Sequence, residues 1–143
     1  MALPSGYELF DEEPSVDEYR RLREVAGLSP KSEAAAAAGL PNSWAAALVR
    51  TADGTAVGMG RVIGDGGCFF QVVDIAVAPE HQRRGLGGAI LARLLERLHA
   101  DAPEGAYVSL FADPPGRELY RHHGFRESAP DQLGMALVLG PAR

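Results

Sequence analysis

The run Gln82-Arg83-Arg84-Gly85-Leu86-Gly87-Gly88 sets two arginines and three glycines between an apolar stretch and the start of an amphipathic pattern. Those residue types in that order make an anion site. The first-turn amides of a helix have no internal partner and carry the positive end of its dipole. Glycine lets a ligand approach the backbone without meeting a Cβ. Arginines at that end are unfavourable for the helix alone, so an anion such as a pyrophosphate completes the arrangement. Two common phosphate loops do not fit. A P-loop needs Lys and then Ser or Thr after its second glycine, and neither is present. The dinucleotide fingerprint needs Gly-x-Gly-x-x-Gly, and Ile90 stands at the third glycine position. The alternative reading is a glycine-rich helix cap with solvated arginines.

Asp74 is the one acidic residue inside the apolar run CFFQVVDIAVA, and strand parity puts it on one face with Ala76 and Ala78. A buried carboxylate is costly without partners. It therefore binds a cation or hydrogen-bonds locally, and its role is either a general base, direct or through water, or a structural hydrogen bond. His81, His122 and His123 titrate in a useful range, but none has carboxylate or cysteine neighbours at metal-ligand spacing, so no metal is expected. Cys68, the single cysteine, sits beside Phe69 and Phe70 and reads as a buried small hydrophobe. Asp11, Glu12, Glu13, Asp17 and Glu18 either attract a cationic amine or form a solvated helix end. Trp44 reads as core, with a place in a substrate cleft as the alternative.

The elements that must position these groups are legible. Tyr7 to Phe10 suits a short strand, and Pro14 or Ser15 starts a helix that ends near Ala26, before Gly27. KSEAAAAAGL has high helix propensity and stops at Gly39 and Pro41. Strands over 44–49 and 57–63 flank Asp53-Gly54, a strong hairpin signal. A long strand, buried on both faces, follows over 68–78. Leu86, Ile90, Leu91, Leu94, Leu95 and Leu98 make one apolar stripe of a helix over about 85–99. AYVSLFA predicts a further strand, PPGRELYRHH a short helix closed by Gly124, and QLGMALVL a last strand. The strand-helix-strand unit implies a parallel pair with a right-handed crossover.

Length and charge bound the rest. The 143 residues suit one domain, with 46% hydrophobic and 23% charged residues. A net charge of -5 argues against nucleic acid or an anionic membrane as the main partner. One cysteine excludes an internal disulfide. No basic-then-apolar leader opens the chain, and a reducing cytoplasm is the default expectation.

The residues QRRGLG resemble the Gln/Arg-x-x-Gly-x-Gly/Ala motif of the GNAT superfamily of N-acetyltransferases. DIAVAPEH is similar to that family's fourth strand and its exit, and ELYRHHGF to its Tyr-x-x-x-Gly-Phe segment. The likeness is close over 72–126 and rests on element order before that. It implies an α+β fold over residues 1–143, with a mixed, mostly antiparallel sheet of six or seven strands and about four helices. It implies acetyl-CoA as cosubstrate, with the backbone of Ile75, Ala76 and Val77 pairing the pantetheine arm. Amides of Gln82, Arg83, Arg84, Gly85, Leu86, Gly87 and Gly88 would hold the pyrophosphate. Asp113 stands where the family often has Asn on the pantetheine, and as an alternative it caps the next helix. Tyr120 matches the general acid near the sulfur, which favours an enzyme over a non-catalytic acyl-CoA-binding module. The acceptor implied is a primary amine of a small molecule or peptide, attacked directly in a ternary complex. A homodimer is left open.

Overall fold

The computed structural model describes residues 3–140, and the chain divides into two compact units, Met1–Leu110 and Phe111–Arg143. The first unit runs β1 (Tyr7–Phe10), α1 (Val16–Val25), α2 (Glu33–Gly39), β2 (Ala45–Thr51), β3 (Ala56–Gly64), β4 (Phe69–Val77), α3 (Leu86–Asp101) and β5 (Tyr107–Ser109). Its sheet has the order β1-β2-β3-β4-β5. The first three pairings are antiparallel and β4 with β5 is parallel, as the crossover through α3 predicts.

Local chemistry sets the boundaries. Ser15 caps α1 in a reciprocal box with Glu18, which satisfies donors that the helix itself cannot. Gly54 takes a φ of 89° in the β2–β3 turn, a conformation glycine adopts without penalty. Leu86, Ile90, Leu91 and Leu94 are fully buried, and each such side chain contributes about 1.5–3 kcal/mol of burial. A Cβ on Gly60 would lie 2.6 Å from Ile75 Cδ1 and 2.7 Å from Ile90 Cγ2. Gly60 is therefore what lets α3 settle on the sheet. Its neighbour Arg61 points to the other face, where it meets α1 through Asp74 and Tyr19. So α1 and α3 cover opposite faces.

Three sequence expectations need correction. β4 is not buried on both faces: Phe70, Val72 and Ala76 are buried, whereas Phe69 is exposed and touches Tyr107 edge-on. Cys68 is exposed rather than buried, because it belongs to a turn whose Gly67, Cys68 and Phe69 amides all donate to the Asp65 carboxylate. The described sheet has five strands, not six or seven.

The second unit holds a single 3₁₀ turn, Pro114–Gly116, and α4 (Arg117–His122). Residues 132–139, the expected last strand, pair with no strand. Without a ladder partner their apolar pattern has nothing to align against, and Leu133, Met135, Leu137, Val138 and Leu139 are exposed.

Candidate active site

The candidate site residues of the first unit lie on β4 and in the turn that follows it. β5 pairs with β4 only at Phe69, Phe70 and Gln71. Beyond Gln71 that edge of β4 has no strand beside it among the described residues. An open edge presents unpaired backbone groups that an extended ligand can match. Ile75, Ala76 and Val77 lie on this stretch. The Val77 carbonyl already accepts a hydrogen bond from Gln82 Nε2 at 3.0 Å, so a ligand there would share it.

A single 3₁₀ turn, Pro79–His81, leads from the strand to α3. Arg83 takes φ 63° and Gly85 φ 81°, both left-handed. Gly85 is the N-cap of α3 and supplies no side chain to it. The first bond of the helix runs from the Ala89 amide to the Gly85 carbonyl, so the Leu86, Gly87 and Gly88 amides lie ahead of the helical ladder. Gln82, Arg83, Arg84 and Gly85 are all exposed. The turn brings amides, glycines and guanidiniums together at one helix start, the arrangement that the sequence reading takes for an anion site. Behind it stands Tyr7 of β1, which sequence reasoning passed over. Its hydroxyl accepts from Arg84 Nη1 at 2.8 Å and lies 2.7 Å from His81 Nδ1.

Asp74 occupies a β-bulge. Opposite Gly60 the β4 strand carries two residues, Asp74 and Ile75, because Met59 pairs with Ala76 and Arg61 with Val73. Asp74 itself has φ 61°, so the expected alternation with Ala76 and Ala78 is broken there. Its side chain is 5% exposed. Oδ1 accepts from Arg23 Nη1 at 2.5 Å and from Tyr19 Oη at 3.0 Å, and Oδ2 accepts from Arg61 Nε at 2.8 Å. Burial, and then the Asp74 charge, raise the Tyr19 hydroxyl above its usual range, which keeps it a donor. Arg23 and Arg61 also lie over the Tyr19 ring. None of these three partners was marked by the sequence reading. A buried arginine on an otherwise apolar strand, Arg61 in AVGMGRVIG, is the signal that could have found one of them.

The acidic residues near α1 divide. Asp11 pairs with Arg93, whose hydrogen bonds hold its carboxyl below the usual range. Glu18 pairs with Arg50 and is lowered chiefly by that bond, and Glu12 reaches the same arginine at 3.7 Å. Trp44 packs edge-on against Phe70 beneath the Arg97 guanidinium.

In the second unit, Tyr120 lies on α4 with its ring edge-on to Phe125 at 6.2 Å. A Cβ at Gly116 would come within 2.9 Å of the Tyr120 ring. Burial, and then the charge of Asp113, push the Tyr120 hydroxyl above its ordinary value of 10. Asp113 stands at the N-cap position of the 3₁₀ turn, but its side chain makes no capping bond. Position, not hydrogen bonding, is all that survives of its expected capping role. His123 Nδ1 donates to the Leu119 carbonyl. Among the described residues no group of three His, Cys, Asp or Glu is placed to hold a metal, and no helix is long and apolar enough to cross a membrane.

A family model for the acetyltransferase (GNAT) domain matches residues 43–127, more than half of the chain and across both units. The chain belongs to the GNAT acetyltransferase family. A Staphylococcus aureus protein of unknown function, described as a probable acetyltransferase, superposes with a TM-score of 0.89 at 39% identity, over 93% of this GNAT chain and 99% of that one. A GNAT-family acetyltransferase from Streptococcus pneumoniae superposes at 0.73 with 26% identity, covering 93% and 98%. The mycothiol acetyltransferase of Geodermatophilus obscurus is 34% identical over 105 residues, which are 73% of this chain. This GNAT chain spans only 33% of that curated relative's length.

Proposed function

We propose that the chain, working as one domain over residues 1–143, transfers an acetyl group from acetyl-CoA to a primary amine by direct attack in a ternary complex. The observation that carries this reading is a juxtaposition. The strand edge that β5 leaves open runs straight into a helix start lined with free amides, glycines and arginines. The backbone at Ile75, Ala76 and Val77 would hold the pantetheine amides, and the turn from Gln82 to Gly88 the pyrophosphate. An amide near Val77 would polarise the thioester carbonyl.

Tyr120 is assigned the acid by its place in the Tyr-x-x-x-Gly-Phe segment. Its raised pKa keeps it protonated at neutral pH, as a donor to the departing thiolate must be. Asp74 is assigned to positioning rather than to proton removal. Both its oxygens are engaged by arginine, so taking the amine's proton would mean displacing a guanidinium. The Asp74 network supports the bulge that turns Ile75 and its successors along the open edge.

Thiol release from acetyl-CoA, measured against a panel of amines, tests the reaction, with calorimetry reporting acetyl-CoA binding. Tyr120→Phe keeps the ring and removes the proton donor. A thiolate is already a fair leaving group, so turnover should fall about tenfold to several hundredfold, the low end for a positioned acid. Acetyl-CoA should bind the variant nearly as before. Undiminished turnover in a folded variant would return Tyr120 to a packing role.

A further inference from the structure

Charge around Asp74 does not balance. Two guanidiniums, Arg23 and Arg61, share one carboxylate in a setting where the three side chains are 5–10% exposed. No second carboxylate comes within ion-pair distance of either arginine among the described residues. Their other partners are neutral: the Ser29 carbonyl and hydroxyl for Arg23, the Ser43 hydroxyl and Gly39 carbonyl for Arg61. A buried cation without its counter-charge is costly. Among the described residues Arg61 Nη2 makes no hydrogen bond, yet no fully buried side-chain nitrogen or oxygen lacks a partner. Nη2 therefore keeps a small contact with solvent, while the Arg61 side chain as a whole is only 10% exposed. Of the five acids near α1, three are already engaged, Asp11 by Arg93 and Glu12 and Glu18 by Arg50.

We infer that the acceptor is an amine that also carries an anion, a carboxylate or a phosphate, which the outward edge of the Arg61 guanidinium receives. This deepens the acetyltransfer reading and rests on it for the place of the amine. Asp74 directly precedes Ile75, where the proposed pantetheine track begins, so an anion at Arg61 and an amine at the thioester belong to one small molecule. A guanidinium presents paired donors in a plane that matches either anion. Tyr19, kept protonated and stacked under both arginines, fixes that plane. Polyamines and cationic aminoglycosides would meet the uncompensated positive charge instead.

The test compares acceptors that differ only in the anion. Alanine with alaninamide and phenylalanine with phenylalaninamide probe the carboxylate, and phosphoethanolamine with ethanolamine probes the phosphate. In the wild-type protein the anionic member of at least one arm should have a kcat/KM about tenfold or more above its partner, the scale of one hydrogen bond to a charged group. The arm that discriminates names the anion. In Arg61→Gln that ratio should collapse towards one, and the ratio, not the absolute rate, is read. Ratios at or below one in both arms would overturn the inference while leaving acetyltransfer standing. If acetyl-CoA binds but no amine is turned over, the transfer reading fails. The inference is then decided by thermal shift of the CoA-loaded protein. A larger rise in Tm with the anionic member supports it, and equal or absent shifts overturn it.

Discussion

Among the described residues, Asp74 and Arg83 are the two non-glycine residues with left-handed backbone, at φ 61° and 63°, nine residues apart along one strand and its exit. Their supports have nothing in common. Asp74 is sunk in the sheet, and its bend is held by side chains from α1 and β3 that lie 13 to 55 residues away. Arg83 is exposed in a turn, between a 3₁₀ turn and a glycine N-cap, with no hydrogen bond from its own side chain among the described residues. Such a backbone costs about 1–2 kcal/mol at a residue with a Cβ. A buried bend can be maintained by the partners that its side chain satisfies. An exposed one lacks such partners, which points to a use for the side chain or for the turn it shapes.

The same substitution at both bends separates the two cases. Asp74→Gly relieves the backbone but leaves two guanidiniums buried without a carboxylate, a loss of about 3–5 kcal/mol when one partner of a buried pair is removed. That outweighs the relief by at least about 1 kcal/mol. Urea unfolding should show a clearly destabilised protein, and activity should fall in step with stability. A variant as stable as wild type would show that the network contributes nothing to the fold and would return Asp74 to the list of candidate bases.

Arg83→Gly should behave otherwise. Relief of about 1–2 kcal/mol is set against roughly 0.5–1 kcal/mol of extra chain entropy, so stability should be unchanged or slightly higher. The cost should appear in binding. One guanidinium lost from the anion cradle should weaken acetyl-CoA severalfold, by about 0.5–1.5 kcal/mol, with that difference shrinking at high salt. Unchanged affinity in calorimetry would make Arg83 a solvated charge on a strained turn.

This contrast also explains what could be read from the chain alone. The turn over 82–88 is a local feature. Glycines 85, 87 and 88, the arginines and the apolar stripe of α3 fall within about twenty consecutive residues, and helix-start physics interprets them without knowing the fold. The hairpin at Asp53-Gly54 and the helix start near Ser15 were legible for the same reason. The bulge was not. Strand parity predicts that Asp74 faces with Ala76 and Ala78, and only the pairing of Met59 with Ala76 and Arg61 with Val73 reveals the extra residue. Cys68 failed similarly, since an apolar run looks buried until the Asp65 turn is seen to claim its amide. The last strand failed because alternation and hydrophobicity in QLGMALVL describe a strand that a ladder partner must still complete.

Tyr7 gives the most discriminating effect, because it couples a distant element to the exposed bend. Its hydroxyl accepts from Arg84 and faces His81 Nδ1, while the two rings meet edge-on at 5.6 Å. With the arginine donating, the hydroxyl proton is free to go to an unprotonated Nδ1. The pair thus anchors both ends of the turn, before and after Arg83. Tyr7→Phe keeps the ring contact and removes only the hydroxyl. The contact is partly exposed, so thermal stability should barely change. The turn should hold its shape less well in the free protein, and acetyl-CoA affinity should drop about threefold to tenfold, the value of a typical hydrogen bond. Turnover at saturating acetyl-CoA should be unaffected, so the change lies in KM and not in kcat. Combining Tyr7→Phe with Arg83→Gly sharpens the comparison further. If the two act on one turn, their binding penalties should be less than additive. Full additivity would mean that Tyr7 steadies Arg84 and His81 without reaching the bend between them.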